Sequence, residues 1–100
     1  MSPALLILLS LLEGPRHGYA IAADIEAFAG KRLGPGTLYG AIGRLVDAGF
    51  VIELPEVERR KPFQITELGQ RHVQVETRSM AAIVRTAKAR RVERPVADQT

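Results

Sequence analysis

The side chains able to act on a partner in this chain of 100 residues are mostly cationic, and they are grouped. Arg59, Arg60 and Lys61 are consecutive, Lys31 and Arg32 are adjacent, and Arg44 stands between the two groups. Such clusters bind phosphate oxygens, and an arginine can in addition take the O6/N7 edge of guanine. Thr37 can reach a base edge or a thymine methyl, while Tyr19 and Tyr39 can each donate a hydroxyl to a phosphate. Covalent chemistry has no comparable basis. There is no nucleophile elbow, no G-x-x-x-x-G-K-S/T loop and no carboxylate pair placed in an identifiable cleft. Cysteine is absent, and the two imidazoles, His17 and His72, lie far apart with no carboxylate cluster beside either. No enzymatic activity, cofactor or metal is therefore expected.

Those residues need a scaffold, and the hydrophobic pattern supplies one. Ser2 can cap, Pro3 fits a first helical position and Gly14-Pro15 stops the run, so residues 3 to 13 read as a helix that is apolar nearly all round. A second helix follows Gly18, with Ile21, Ala22, Ile25, Phe28 and Ala29 on one face, and ends at Gly30. Pro35 opens a third over roughly 36 to 48, closed by Gly49, with Leu38, Ala41, Ile42, Leu45 and Ala48 as its buried stripe. Two helices joined by a short glycine-containing connection form a helix-turn-helix. The segments 50 to 54 and 62 to 66 are rich in β-branched and aromatic residues and flank PEVERRK, which predicts a two-stranded hairpin with a basic tip. Pro62 belongs at a strand start or an edge. No glycine occurs between Leu54 and Phe63, so a loosely turned tip is expected.

Thr66 can cap a last helix from Glu67 to about Val92, on which Val73, Met80, Val84 and Ala87 recur at spacings of 7, 4 and 3. A stripe so narrow on a helix so long could pack on the chain's own core, but a coiled-coil-like contact with a second helix explains better why it outruns the domain. A chain this short buries about two thirds of its unfolded surface, which also favours a partner subunit. The expected interface is Leu5, Leu8, Leu9, Val73, Met80, Ile83, Val84 and Ala87. The fold class is mainly α with a small β-hairpin: a winged helix-turn-helix over residues 1–66, a dimerisation helix over 67–94, and a disordered tail over 95–100.

With its apolar stripe inward, the third helix turns Gly36, Thr37, Gly40, Gly43, Arg44 and Asp47 outward, a small polar face of the kind that enters a major groove. At this point the chain resembles a known family. LLEGPRHGYAIAADIE (11–26), RLGPGTLYGAIGRLVDAGFV (32–51) and RRKPFQITELGQ (59–70) are similar to the DNA-binding domain of PadR-family transcriptional regulators, over about residues 5–75. The resemblance rests on His17-Gly18-Tyr19, on Pro35 to Tyr39, on Arg44-Leu45 and on Ile65 to Gly69 in the family's order. It implies a dimeric, repressor-type regulator of double-stranded DNA whose last helix pairs subunits. The chain departs from the family at Gly40, where a proline is familiar, and at Gly43, where a bulkier polar residue is. Each glycine costs a helix about 0.8–1 kcal/mol relative to alanine. Close approach of backbone to DNA is the functional reading, and tolerated drift is the alternative.

The expected DNA-binding set is thus Thr37, Tyr39, Gly40, Gly43, Arg44, Arg32, Lys31, Tyr19, Arg59, Arg60 and Lys61. Tyr19 could equally turn its ring into the core and only its hydroxyl outward. Fourteen Lys and Arg against eleven Asp and Glu give +3, which fits a polyanionic partner without proving one. The rival reading is a winged-helix module that contacts proteins and lacks DNA specificity. Cations between Arg85 and Arg94 are assigned to the macrodipole at the end of the last helix. Ala4 to Leu12 is too short for a bilayer span and lacks the flanks of a signal peptide, so no membrane contact is expected and a cytoplasmic location is. The resemblance also leaves room for a small-molecule effector at the dimer interface, for which these residues single out neither pocket nor ligand.

Overall fold

The computed structural model describes residues 1–90. In chain order it contains α1 (Pro3–Leu11), β1 (Arg16–His17), α2 (Gly18–Ala29), α3 (Pro35–Asp47), β2 (Val51–Glu53), β3 (Pro62–Ile65) and α4 (Glu67–Ala89). The expected end of the last helix beyond residue 90, and the expected disordered tail over 95–100, lie outside the described residues.

Three of the four helices begin at a side-chain cap, and α3 instead begins at Gly34-Pro35 with none. The Ser2 hydroxyl accepts from the Leu5 amide at 3.4 Å ahead of Pro3, and His17 Nδ1 accepts from the Ala20 amide at 3.3 Å ahead of α2. Gly30 ends α2 in the left-handed region at φ 64°, where a side chain would be strained. The first helix is shorter than the pattern suggests, because Gly14 accommodates a positive φ and its amide turns back to the Leu11 carbonyl.

α1 is the centre of the core. Leu5, Leu6, Ile7, Leu8 and Leu11 are buried among Ile21, Ile25, Leu38, Ala41, Ile42, Leu45, Val51, Phe63, Ile65 and Val73. An apolar helix in a chain this small buries most of its surface by lying between the helix-turn-helix and the sheet, with Ala4 and Leu9 left half-buried. Ser10 shares that burial, and its hydroxyl has no hydrogen-bond partner among the described residues.

The sheet has three strands, not the two expected. β3 is central, in the order β1-β3-β2, and both pairings are antiparallel. Register aligns Val51 with Ile65 and Glu53 with Phe63 on one side, and Arg16 with Phe63 on the other. A two-residue strand carries no periodicity, so β1 exists only because β3 offers it a free edge. Pro62 takes the first position of that central strand, where its missing amide breaks no ladder bond.

The wing tip is also tighter than its lack of glycine suggests. Val57 and Arg60 exchange backbone hydrogen bonds at 2.8 and 2.9 Å around Glu58 and Arg59, whose φ angles are 50° and 66°. That is the two-residue turn usually built from Asn-Gly. Here two L-residues occupy it, at a cost on the order of 1 kcal/mol each.

The start of α4 locks the base of the wing. Thr66 Oγ1 accepts from the Gly69 amide at 3.1 Å and donates to the Gly49 carbonyl at 2.7 Å, while the Thr66 amide donates to the Phe50 carbonyl. Gly69 is required there, because a Cβ at that position would fall on the Phe50 carbonyl oxygen and Ile65. His72, one turn on, stacks over Phe50 with ring centroids 4.6 Å apart.

Candidate nucleic-acid interface

α3 owes its position to the four residues that the pattern turned inward. Leu38, Ala41, Ile42 and Leu45 are buried, and the opposite face carries exposed Gly36, Thr37, Gly40, Gly43, Arg44 and Asp47. Ala48, expected in the buried stripe, is exposed because the helix ends at Asp47 and the chain turns away at Gly49.

The glycines of that outer face are not demanded by the fold. A methyl at Gly36 or Gly43 would meet nothing within 4 Å, and one at Gly40 would meet only Arg44 Nη1 at 3.6 Å. Their backbone is helical, with no positive φ. The helix therefore presents a bare strip of backbone edged by Thr37 and Arg44.

Beside this face lies a cleft of about 570 Å³ between the wing and the start of α2, lined by His17, Tyr19, Tyr39, Glu53, Arg59 and Lys61 among others. Tyr39 leans across Gly18, where a Cβ would collide with the tyrosine ring, so glycine at 18 is what lets α3 and α2 close together. Tyr19 does not turn inward. It is 77% exposed, stacked loosely on His17 at 6.4 Å, because its place on the first turn of α2 faces away from α1. Tyr39 is 52% exposed.

The expected contact residues all lie on the surface, but the structure does not gather them all. Tyr19, Tyr39, Arg59, Arg60 and Lys61 border the one cleft, while Thr37, Gly40, Gly43 and Arg44 form the adjoining helix face. Lys31 is elsewhere, beside Met1 and Phe28 in a separate hollow, with its ammonium donating to the Met1 carbonyl at 3.3 Å.

Several of these cations are already engaged. Arg32 pairs with Glu26 at 3.3 Å, Lys61 with Glu53 at 3.5 Å, and Arg60 Nη1 lies 3.0 Å from His17 Nε2. Arg44 and Arg59 are in no ion pair among the described residues. The wing is also less basic than its tip suggests, since Glu53, Glu56 and Glu58 equal Arg59, Arg60 and Lys61 in number. These carboxylates stand in the same segment as the cations of the expected basic tip. His17 and Gly18, part of the triplet that carries the family resemblance, line the same cleft.

The expected interface between subunits divides in two. Leu5, Leu8 and Val73 belong to the protomer's own core, at 5%, 0% and 4% exposure, and have no surface left for a second copy. Leu9 and Met80 are half-buried against that core. Past Val73 the character of α4 changes. Val75, Ile83 and Val84 are exposed apolar residues, Ala87 is half-buried, and a shallow groove runs along Ser79, Ala82, Ile83 and Thr86. No described helix is long and apolar enough to cross a membrane.

Comparison with known proteins agrees with this geometry. Residues 7–75 match the sequence profile described as the transcriptional regulator PadR-like family. An uncharacterized 37.1 kDa protein in transposon TN4556 of Streptomyces fradiae is 47% identical over 79 residues. The match takes in 79% of this chain and 23% of that protein, so the chain spans less than a quarter of that relative's length. Among solved structures, a PadR family transcription regulator from Clostridium difficile R20291 superposes with a TM-score of 0.79 at 21% identity, over 87% of this chain and 95% of that one. Bacillus subtilis PadR in complex with operator DNA superposes at 0.68 with 20% identity, over 74% of this chain and 45% of that one. At these identities the two structures speak for the fold.

Proposed function

We propose, from the premise that this chain belongs to the PadR-like family of transcriptional regulators, that it binds operator DNA as a homodimer and represses transcription. One observation carries the reading: the outer face of α3 is bare backbone at Gly36, Gly40 and Gly43, with only the Arg44 guanidinium near it among the described residues. A firm apolar stripe holds that face out, which is what a helix entering a major groove requires. Thr37 and Arg44 are placed to read base edges from the rim of the strip. Arg59 at the wing tip, with Arg60, Lys61, Arg32, Tyr19 and Tyr39, is placed to hold the phosphates on either side. Lys31 contributes only after leaving Met1.

Residues 1–66 carry the DNA-binding surface in this proposal. The part of α4 past Val73 pairs two protomers through Ile83, Val84 and Ala87, with Met80 at the edge of the seam. A 23-residue helix is about 34 Å long, and the last of its apolar residues packed on the core is Met80. Two-fold symmetry then sets the two α3 helices on half-sites one helical turn, or a multiple, apart.

Selection of bound duplexes from a random pool tests this directly, with recovery of a pseudo-palindrome as the expected result. The selected duplex should lose affinity with salt. If Arg59, Arg60 and Lys61 each neutralise one phosphate per protomer, the slope of log Kobs against log salt is about −5. A chain that recovers no preferred duplex and retards none at low salt does not have this function.

A further inference from the structure

His17 sits where three elements meet. It closes β1, caps α2 and is paired across the sheet with Pro62 at the foot of the wing. Its Nδ1 lies 3.3 Å from the Ala20 amide nitrogen, and its Nε2 lies 3.0 Å from Arg60 Nη1. Both neighbours are donors. The Ala20 amide is one of the helix-end groups with no partner inside the helix, and a guanidinium has no acceptor.

A neutral imidazole has one lone pair to offer, so it can accept from one of these two donors at a time. With the proton on Nε2 the ring caps α2 and turns a donor toward Arg60. With the proton on Nδ1 it holds Arg60 and leaves the Ala20 amide unpaired. Arg16, Glu58, Glu53, Glu56, Arg59 and Lys61 line the two hollows on either side of the ring. None of their carboxylates is bonded to it among the described residues.

We infer that His17 is a positioning residue that divides its single lone pair between the α2 cap and Arg60, and so ties the wing to the helix carrying Tyr19. The inference rests on the DNA-binding reading for its use. In the free protein the ring restrains Arg60 and holds the wing near its working position. When a phosphate takes the guanidinium, the lone pair returns to the Ala20 amide and α2 is capped in full. Gly18, the next residue, seats Tyr39 of α3. One turn of chain thereby links wing, α2 and α3, and wing docking firms the N-terminus of α2.

The ring nitrogens report this directly. Imidazole ¹⁵N shifts of His17 are compared between the unaltered protein and Arg60→Ala, in mildly alkaline buffer and without DNA. The expected result is a mixture of tautomers in the former and the Nε2-protonated form alone in the latter. Identical shifts in the two proteins overturn the inference. His17→Asn keeps a capping oxygen but is too short to reach Arg60. It should melt with the unaltered protein and bind the selected duplex roughly two- to threefold more tightly, because no bond to Arg60 has to be given up before a phosphate takes the guanidinium. Unchanged affinity overturns the coupling. If no protein binds any duplex, the DNA-binding reading fails on its own, and the shift comparison without DNA still decides for or against the inference.

Discussion

Replacing Gly40 and Gly43 together by alanine should strengthen the fold and weaken the interaction with DNA. Both positions lie in the interior of α3 with ordinary helical backbone, and both point to solvent. At Gly43 the added methyl meets nothing within 4 Å, and at Gly40 it makes an ordinary contact with Arg44. No steric term opposes the gain in helix propensity, about 0.8–1 kcal/mol per glycine. The pair should therefore add about 1.6–2 kcal/mol, a rise in Tm of roughly 6–16 °C for a domain of this size. In the proposed complex the same two methyls would stand between the helix and the floor of the groove. A loss of tenfold or more in duplex affinity, about 1.4 kcal/mol, is expected. Thermal melts followed by circular dichroism and titration by fluorescence anisotropy measure the two effects on the same preparation. A double variant that melts higher and binds the selected duplex as tightly as before would refute the close-approach argument and leave both glycines as tolerated drift.

Arg44→Ala should reduce affinity by about 1–3 kcal/mol and relax preference at a single operator position. An equal loss on every sequence would make it a phosphate contact instead. Ile83→Asp places a charge on the exposed half of α4, remote from the core, and sedimentation should show monomers with an unchanged melting profile. A variant still dimeric moves the seam elsewhere on the surface. Gly69→Ala drives a methyl into the Phe50 carbonyl, a backbone atom that cannot swing aside, so denaturant unfolding should register a loss of about 1–3 kcal/mol. Ser10→Ala removes a buried hydroxyl that has no partner among the described residues, and the same assay should find it neutral or stabilising by about 1 kcal/mol.

What the amino-acid order settled by itself is local. Apolar residues at helical spacing, together with Ser2, Gly18, Gly30, Pro35, Gly49 and Thr66, mark out α1 to α4 to within a few residues. They also leave Thr37, Gly40, Gly43 and Arg44 on the outside of α3, because a helix face follows directly from residue spacing. What tertiary structure decided depends on residues distant in the chain. The pairing of Arg16–His17 with β3 comes from a free strand edge more than forty positions away. Glu58 and Arg59 adopt positive φ because the strands they join are held by Thr66, Phe50 and Gly69. Whether Leu5, Leu8 and Val73 face a second subunit or the protomer's own interior cannot be read from hydrophobicity, which has no direction until neighbours are placed. Likewise, which cations are paired follows from the carboxylates that folding brings beside them: among the described residues Glu53 takes Lys61 and Glu26 takes Arg32, while Arg44 and Arg59 face outward in no ion pair.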